Sequence, residues 1–164
     1  MRLINVVRFA LCAGIVFSGV ARAQLSPLQN LGFKLGDDVQ TVQKALKTTM
    51  DVEPEARNPA LPSFATDPNK GKTTLHLRSR GIWVFFNPAG RAETIRMDAP
   101  YPGDVLGIKI GDKLDKITST LGKPVKKPGF MPPGHDGLIY VLDDAAYVRF
   151  DVTDDGVETM LIIR

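Results

Sequence analysis

The chain has 164 residues, 43% of them hydrophobic, with 15 Gly, 12 Pro and a single Cys. That length and apolar content suit one globular domain or two small ones packed together, and they exclude a disordered chain, a collagen and a disulfide-stapled miniprotein. The formal charge of +3, from 21 Lys and Arg against 18 Asp and Glu, would point to an anionic partner if it were spread over the folded body.

It is not spread in that way. Residues 1–23 have a basic start (Arg2, Arg8), an apolar run from Phe9 to Val20 and the tripeptide Ala21-Arg22-Ala23. This is the pattern of a secretory signal peptide, and the run is too short to span a bilayer as a helix. Cleavage is expected after Ala23. Loss of Arg2, Arg8 and Arg22 from the 21 bases leaves 18, equal to the 18 acids. A nucleic-acid binder keeps its basic stripe on the folded body, so nucleic acid is not expected as a partner. Cys12 lies inside the apolar run after Leu11, which does not suit lipidation, and the remaining chain has no thiol. The expected location is therefore periplasmic or secreted, with no later segment long enough for a membrane span.

Next in the chain, Leu31 to Leu46 (LGFKLGDDVQTVQKAL) returns 75 residues later as Leu106 to Leu121 (LGIKIGDKLDKITSTL). Each reads as a short extended entry, a turn at Gly36 or Gly111, and an amphipathic helix. Val39, Val42 and Leu46, like Leu114, Ile117 and Leu121, recur on one helical face. Asp37 and Asp112 stand where helix caps are expected. A Pro-rich loop follows each helix, with Pro54, Pro59, Pro62 and Pro68 in one and Pro124, Pro128, Pro132 and Pro133 in the other. Three strand patterns then follow each loop: 73–79, 81–87 and 93–98, then 138–142, 147–152 and 157–163. The fold class expected is α+β, with two tandem helix-plus-antiparallel-sheet repeats. The expected organisation is a signal peptide over 1–23, a first repeat over 24–100 and a second over 101–164.

The phrases KLGDDVQTVQKAL and KIGDKLDKITSTLGKP, each followed by a strand–turn–strand pattern, resemble the tandem unit of the β-lactamase-inhibitory protein family. They are similar also to the unit of the SmpA/OmlA outer-membrane assembly lipoproteins. The resemblance implies a secreted protein that binds other proteins rather than an enzyme. The inhibitory family's disulfides and the lipoproteins' anchor have no counterpart in the mature chain.

Chemistry-bearing residues are few. His76 alternates with Leu75 and Leu77 and is expected on an open strand face. His135 sits beside Asp136 in a loop, but no Cys or serine elbow accompanies it, so a hydrolase is the weaker reading. Asp151-x-Thr153-x-Asp155-Gly156 begins like a calcium loop, yet Ile162 stands where the bidentate Glu is needed, and a hairpin turn explains it. Gly71-Lys72-Thr73 lacks the first glycine of a phosphate-binding loop. No catalytic residue, cofactor or metal is expected.

Surface remains. The strand faces opposite the core should carry His76, Arg78, Arg96, Tyr147 and Arg149. Trp83 and Phe85 belong either to that face or to a core between the halves, and Phe130 stands near a loop tip. Aromatics with arginines form the usual composition of a protein-binding hot spot. The expected function is an exported protein-binding protein, an inhibitor or immunity protein whose partner is a secreted toxin, effector or envelope enzyme. An envelope assembly factor is the alternative.

Overall fold

A computed structural model describes residues 31–129, 131–143 and 146–164. The segment expected to be a signal peptide, residues 1–23, and Phe130 lie outside the described residues. In chain order the elements are helix α1 (Val39–Ala45), strands β1 (Glu53–Pro54), β2 (Thr73–Leu77), β3 (Ile82–Phe86), β4 (Ala92–Asp98), β5 (Asp104–Val105) and β6 (Ile108–Lys109), helix α2 (Leu114–Leu121), and strands β7 (Asp136–Asp143), β8 (Ala146–Thr153) and β9 (Gly156–Ile163). Seven strands form one antiparallel sheet in the order β1-β2-β3-β4-β9-β8-β7, and β5 and β6 pair separately.

Period-two alternation of apolar residues makes these segments strands and decides which side is buried. Leu75, Val84, Ile95, Ile162, Val148 and Tyr140 lie in register across six strands, and Leu77, Ile82, Met97, Met160, Phe150 and Leu138 form the next row. All twelve are buried and belong to one apolar cluster, completed by Leu31, Phe33, Val42, Leu46, Tyr101, Val105, Ile108 and Ile117 from outside the sheet. At about 1.5–3 kcal/mol for each fully buried large side chain, this inner layer is the main force holding the fold.

The fold is more β-rich than the α+β class expected, and that expectation is corrected. The two described helices are only seven and eight residues long and bury few side chains, Val42 in one and Ile117 in the other. Helices this short do not stand alone in water. Nor does each helix cover a sheet of its own. β4 pairs with β9 over five residues, from Thr94↔Ile163 to Asp98↔Thr159, which joins all the large strands into one sheet.

The two similar segments do dock alike on that sheet. Gly36 N–H donates to Ala92 O and Ala92 N–H to Asp37 O, while Gly111 N–H donates to Val157 O and Val157 N–H to Asp112 O. Asp37 and Asp112 do not cap the helices. Their carboxylates accept from Lys34 N–H and Lys109 N–H, both at 2.9 Å, and so close the turns before the helices. The cap of α1 is Asp38, which accepts from Thr41 N–H at 2.9 Å. This bond is the main reason that its carboxyl titrates below the ordinary range, and the nearby Arg91 adds to it. α2 starts at Lys113 with no side-chain cap, and ends where Tyr140 OH donates to Gly122 O at 3.0 Å.

Candidate functional site

Alternation that sends twelve side chains inward sends the intervening ones outward, and the register sets them in rows. The central outer row is His76, Trp83, Arg96, Leu161, Arg149 and Ile139. Beside it run Thr74, Phe85, Thr94, Ile163, Tyr147 and Val141, and on its other side Asp98, Thr159, Asp151 and Gly137. Apart from Thr74 and Gly137 these positions are half-buried or exposed, with Val141 58% exposed.

The charges on this face are locked in place. Arg96 Nε donates to Asp98 Oδ1 at 3.0 Å. Arg149 grips both oxygens of Asp151, each at 2.6 Å, and these bonds hold its guanidinium above its ordinary pKa. The partners stand two residues apart on one strand, the spacing that returns a side chain to the same face. Trp83 is boxed in as well. His76 stacks on it with 3.1 Å between centroids and 19° between planes, the Arg96 guanidinium carbon lies 5.7 Å from its ring, and Phe85 runs parallel at 6.4 Å. Desolvation against this stack, reinforced by Arg78, lowers the His76 pKa. With its flanks occupied, Trp83 is a fixed wall of the surface rather than a free platform for a flat ligand.

Of the residues that the sequence nominated, His76, Trp83, Phe85, Arg96, Tyr147 and Arg149 come together on this face. Arg78 does not belong to the strand, which ends at Leu77; it opens a 3-10 turn, Arg78–Arg80, and is exposed. Sequence reasoning missed Leu161, Ile163, Asp98 and Asp151. Leu161 and Ile163 read as ordinary strand apolars until pairing of β9 with β4 and β8 sets Leu161 between Arg96 and Arg149 and Ile163 between Thr94 and Tyr147. The acids were visible as the i+2 spacings Arg96-x-Asp98 and Arg149-x-Asp151. The second Pro-rich loop borders the face: Pro128 and Met131 close over Gly137 so tightly that a Cβ there would collide with them.

A second feature is a cleft of about 540 Å³ lined by Lys113, Leu114, Asp115, Gly134, His135, Asp136, Val152, Thr153 and Asp154. His135 Nε2 lies 3.3 Å from Glu158 Oε2 and its Nδ1 3.2 Å from Pro133 O. Asp136 is paired with Lys127 at 3.2 Å, so it does not serve the imidazole. Asp154 and Asp155 form the turn between β8 and β9, and Asp151 is held by Arg149, so the calcium-like string is a hairpin. Among the described residues no group of three or more His, Cys, Asp or Glu is placed to hold a metal ion. No described helix is long and apolar enough to cross a membrane.

No family model matches the chain, and no curated protein matches it. Among solved structures it is similar to a DUF4309 family protein, YjgB, from Bacillus subtilis, with 13% identity, a TM-score of 0.47, and coverage of 77% of this chain and 78% of that one.

Proposed function

We propose that this is an exported protein-binding protein, an inhibitor or immunity protein that blocks a secreted or envelope partner through the outer face of its sheet. The observation that carries the reading is the row His76, Trp83, Arg96, Leu161, Arg149 and Ile139 with its two built-in ion pairs. Trp83, Phe85, Leu161, Ile163 and Tyr147 supply apolar contact area. Arg96 and Arg149 are held in one geometry before any partner arrives. Binding then saves the roughly 0.5–1.5 kcal/mol of ordering that each free long side chain would cost. Acids beside the arginines leave the face with little net charge, so recognition rests on shape and on the guanidinium N–H groups that the ion pairs leave open. Export rests on the N-terminal signal pattern.

The test starts from the partner, isolated from the exported fraction on the tagged mature chain and then purified. Calorimetric titration with Trp83→Ala and with Arg96→Ala should each weaken binding by about 2 kcal/mol or more, the size of hot-spot losses. Unchanged affinity in both variants would remove the sheet face from the reading.

A further inference from the structure

The outer face alone is small for a stable complex. Six strands at about 4.8 Å spacing and three rows about 6.8 Å apart cover about 29 by 20 Å, or roughly 580 Å². Each side of a standard interface contributes about 800 Å². Further contact area has to come from elsewhere on the molecule, and one segment is built to supply it.

The connection between β1 and β2 springs from the edge of the outer face, where Thr74 OH donates to the Glu55 carboxylate. In it Phe64 is 90% exposed, more than any other large apolar residue described. The loop that carries it is braced throughout. Arg57 donates to Pro62 O at 2.6 Å and reaches Ala65 O at 3.5 Å, bridging the base of the turn. Ala65 N–H donates to Pro62 O at 2.9 Å, which places Ser63 and Phe64 at the apex of a β-turn. Asn69 Nδ2 donates to Ala56 O at 2.9 Å, tying the two legs together, and Asn58 Oδ1 accepts from Ala60 N–H. Pro59, Pro62 and Pro68 narrow the backbone further. An exposed phenyl on a slack loop would be an accident of sequence. Held on a cross-braced turn, it has given up its freedom before binding.

We infer that Phe64 is a plug, held out by the Arg57 brace to enter a concave apolar pocket of the same protein partner; this rests on the protein-binding reading. A lipid surface fits less well. The connection from Glu55 to Lys72 carries three bases and two acids, Glu55 and Asp67. The Arg57 guanidinium bonds carbonyls and Lys72 is paired with Glu93, so Lys70 is the one base of the connection left to meet anionic headgroups. One phenyl is a single apolar signal, and stable membrane anchoring needs more than one. A single ring in fixed geometry suits a single pocket.

The experiment puts the photo-crosslinker p-benzoylphenylalanine at position 64 or, separately, at position 85 of the outer face, in producing cells. The result expected is one adduct shared by both positions. With that partner purified, Phe64→Ala should weaken binding at least 30-fold. Arg57→Gln, which keeps Phe64 but loosens the turn, should weaken it about 10-fold and speed chymotrypsin cleavage after Phe64. An adduct from position 85 with none from 64, or full affinity in Phe64→Ala, overturns the plug and leaves the sheet-face reading standing. No adduct from either position overturns both. Phe64-dependent binding to phosphatidylglycerol-rich vesicles would overturn the protein pocket in favour of lipid.

Discussion

Replacement of Gly156 by Ala tests how the entry turn before α2 is fastened to the sheet. Gly156 has φ +112°, and a Cβ at that position would lie 2.7 Å from the Gly111 carbonyl carbon and 3.0 Å from Asp112 O. Backbone at that distance cannot yield as a flexible side chain does. The turn must move off β9, with loss of the bonds Gly111 N–H to Val157 O and Val157 N–H to Asp112 O, at 2.8 and 2.9 Å. Two net hydrogen bonds at about 1 kcal/mol each and about 2 kcal/mol of backbone strain give a loss of about 4 kcal/mol. Gly90→Ala is the matched control. Its φ of +70° is also left-handed, but nothing lies within 4 Å of the added Cβ, so only about 1–2 kcal/mol of conformational cost applies. Urea unfolding of both variants measures the difference directly, and amide exchange at Gly111 and Val157 should accelerate in Gly156→Ala alone. Losses equal to within about 0.5 kcal/mol would refute the reasoning, since the clash would then contribute nothing.

Phe150 and Phe85 separate the two sides of the sheet. Phe150 is fully buried, so Phe150→Ala should cost about 3–5 kcal/mol in the same unfolding assay, whereas the outward, half-buried Phe85→Ala should cost about 1 kcal/mol or less while weakening partner binding. His76 gives the pH dependence. Desolvation and then Arg78 lower its folded pKa below the ordinary value of 6.5, with Arg96 adding and Glu53 and Asp98 opposing. Its contribution to stability is therefore complete above the unfolded value and is lost as pH falls through the folded one. Urea midpoints measured from pH 7.5 down to 5 should fall less steeply in His76→Gln than in the wild type, and parallel curves would rule out this source.

Strand positions were legible because one-sided burial imposes a period of two that any window displays. The patterns at 81–87, 93–98, 147–152 and 157–163 correspond to β3, β4, β8 and β9 within a residue or two. The pair of Lys-x-Gly-Asp segments was equally visible, since a tight turn needs the same residues wherever it occurs. The balance of the fold was misread. Helical spacing over Val39 to Leu46 and Leu114 to Leu121 reveals an amphipathic face but not how little of the architecture that face supports. Leu106 and Gly107, both with positive φ, turn β5 into β6, a hairpin that an apolar residue at the first turn position concealed.

By itself, then, the sequence determined which side chains turn inward and which outward along most of the strands, because alternation is local, but it left Trp83 and Phe85 of β3 open, since both sides of that strand are apolar. It also determined the turns at Gly36 and Gly111. Only the tertiary structure decided that β4 joins β9. That pairing brings together segments more than sixty residues apart, and no local pattern encodes its register. It places Leu161 between Arg96 and Arg149 and makes one broad face of two three-stranded units. The tertiary structure likewise fixes Phe64 at the tip of a braced loop, through contacts of Arg57 and Asn69 that no spacing in the sequence announces.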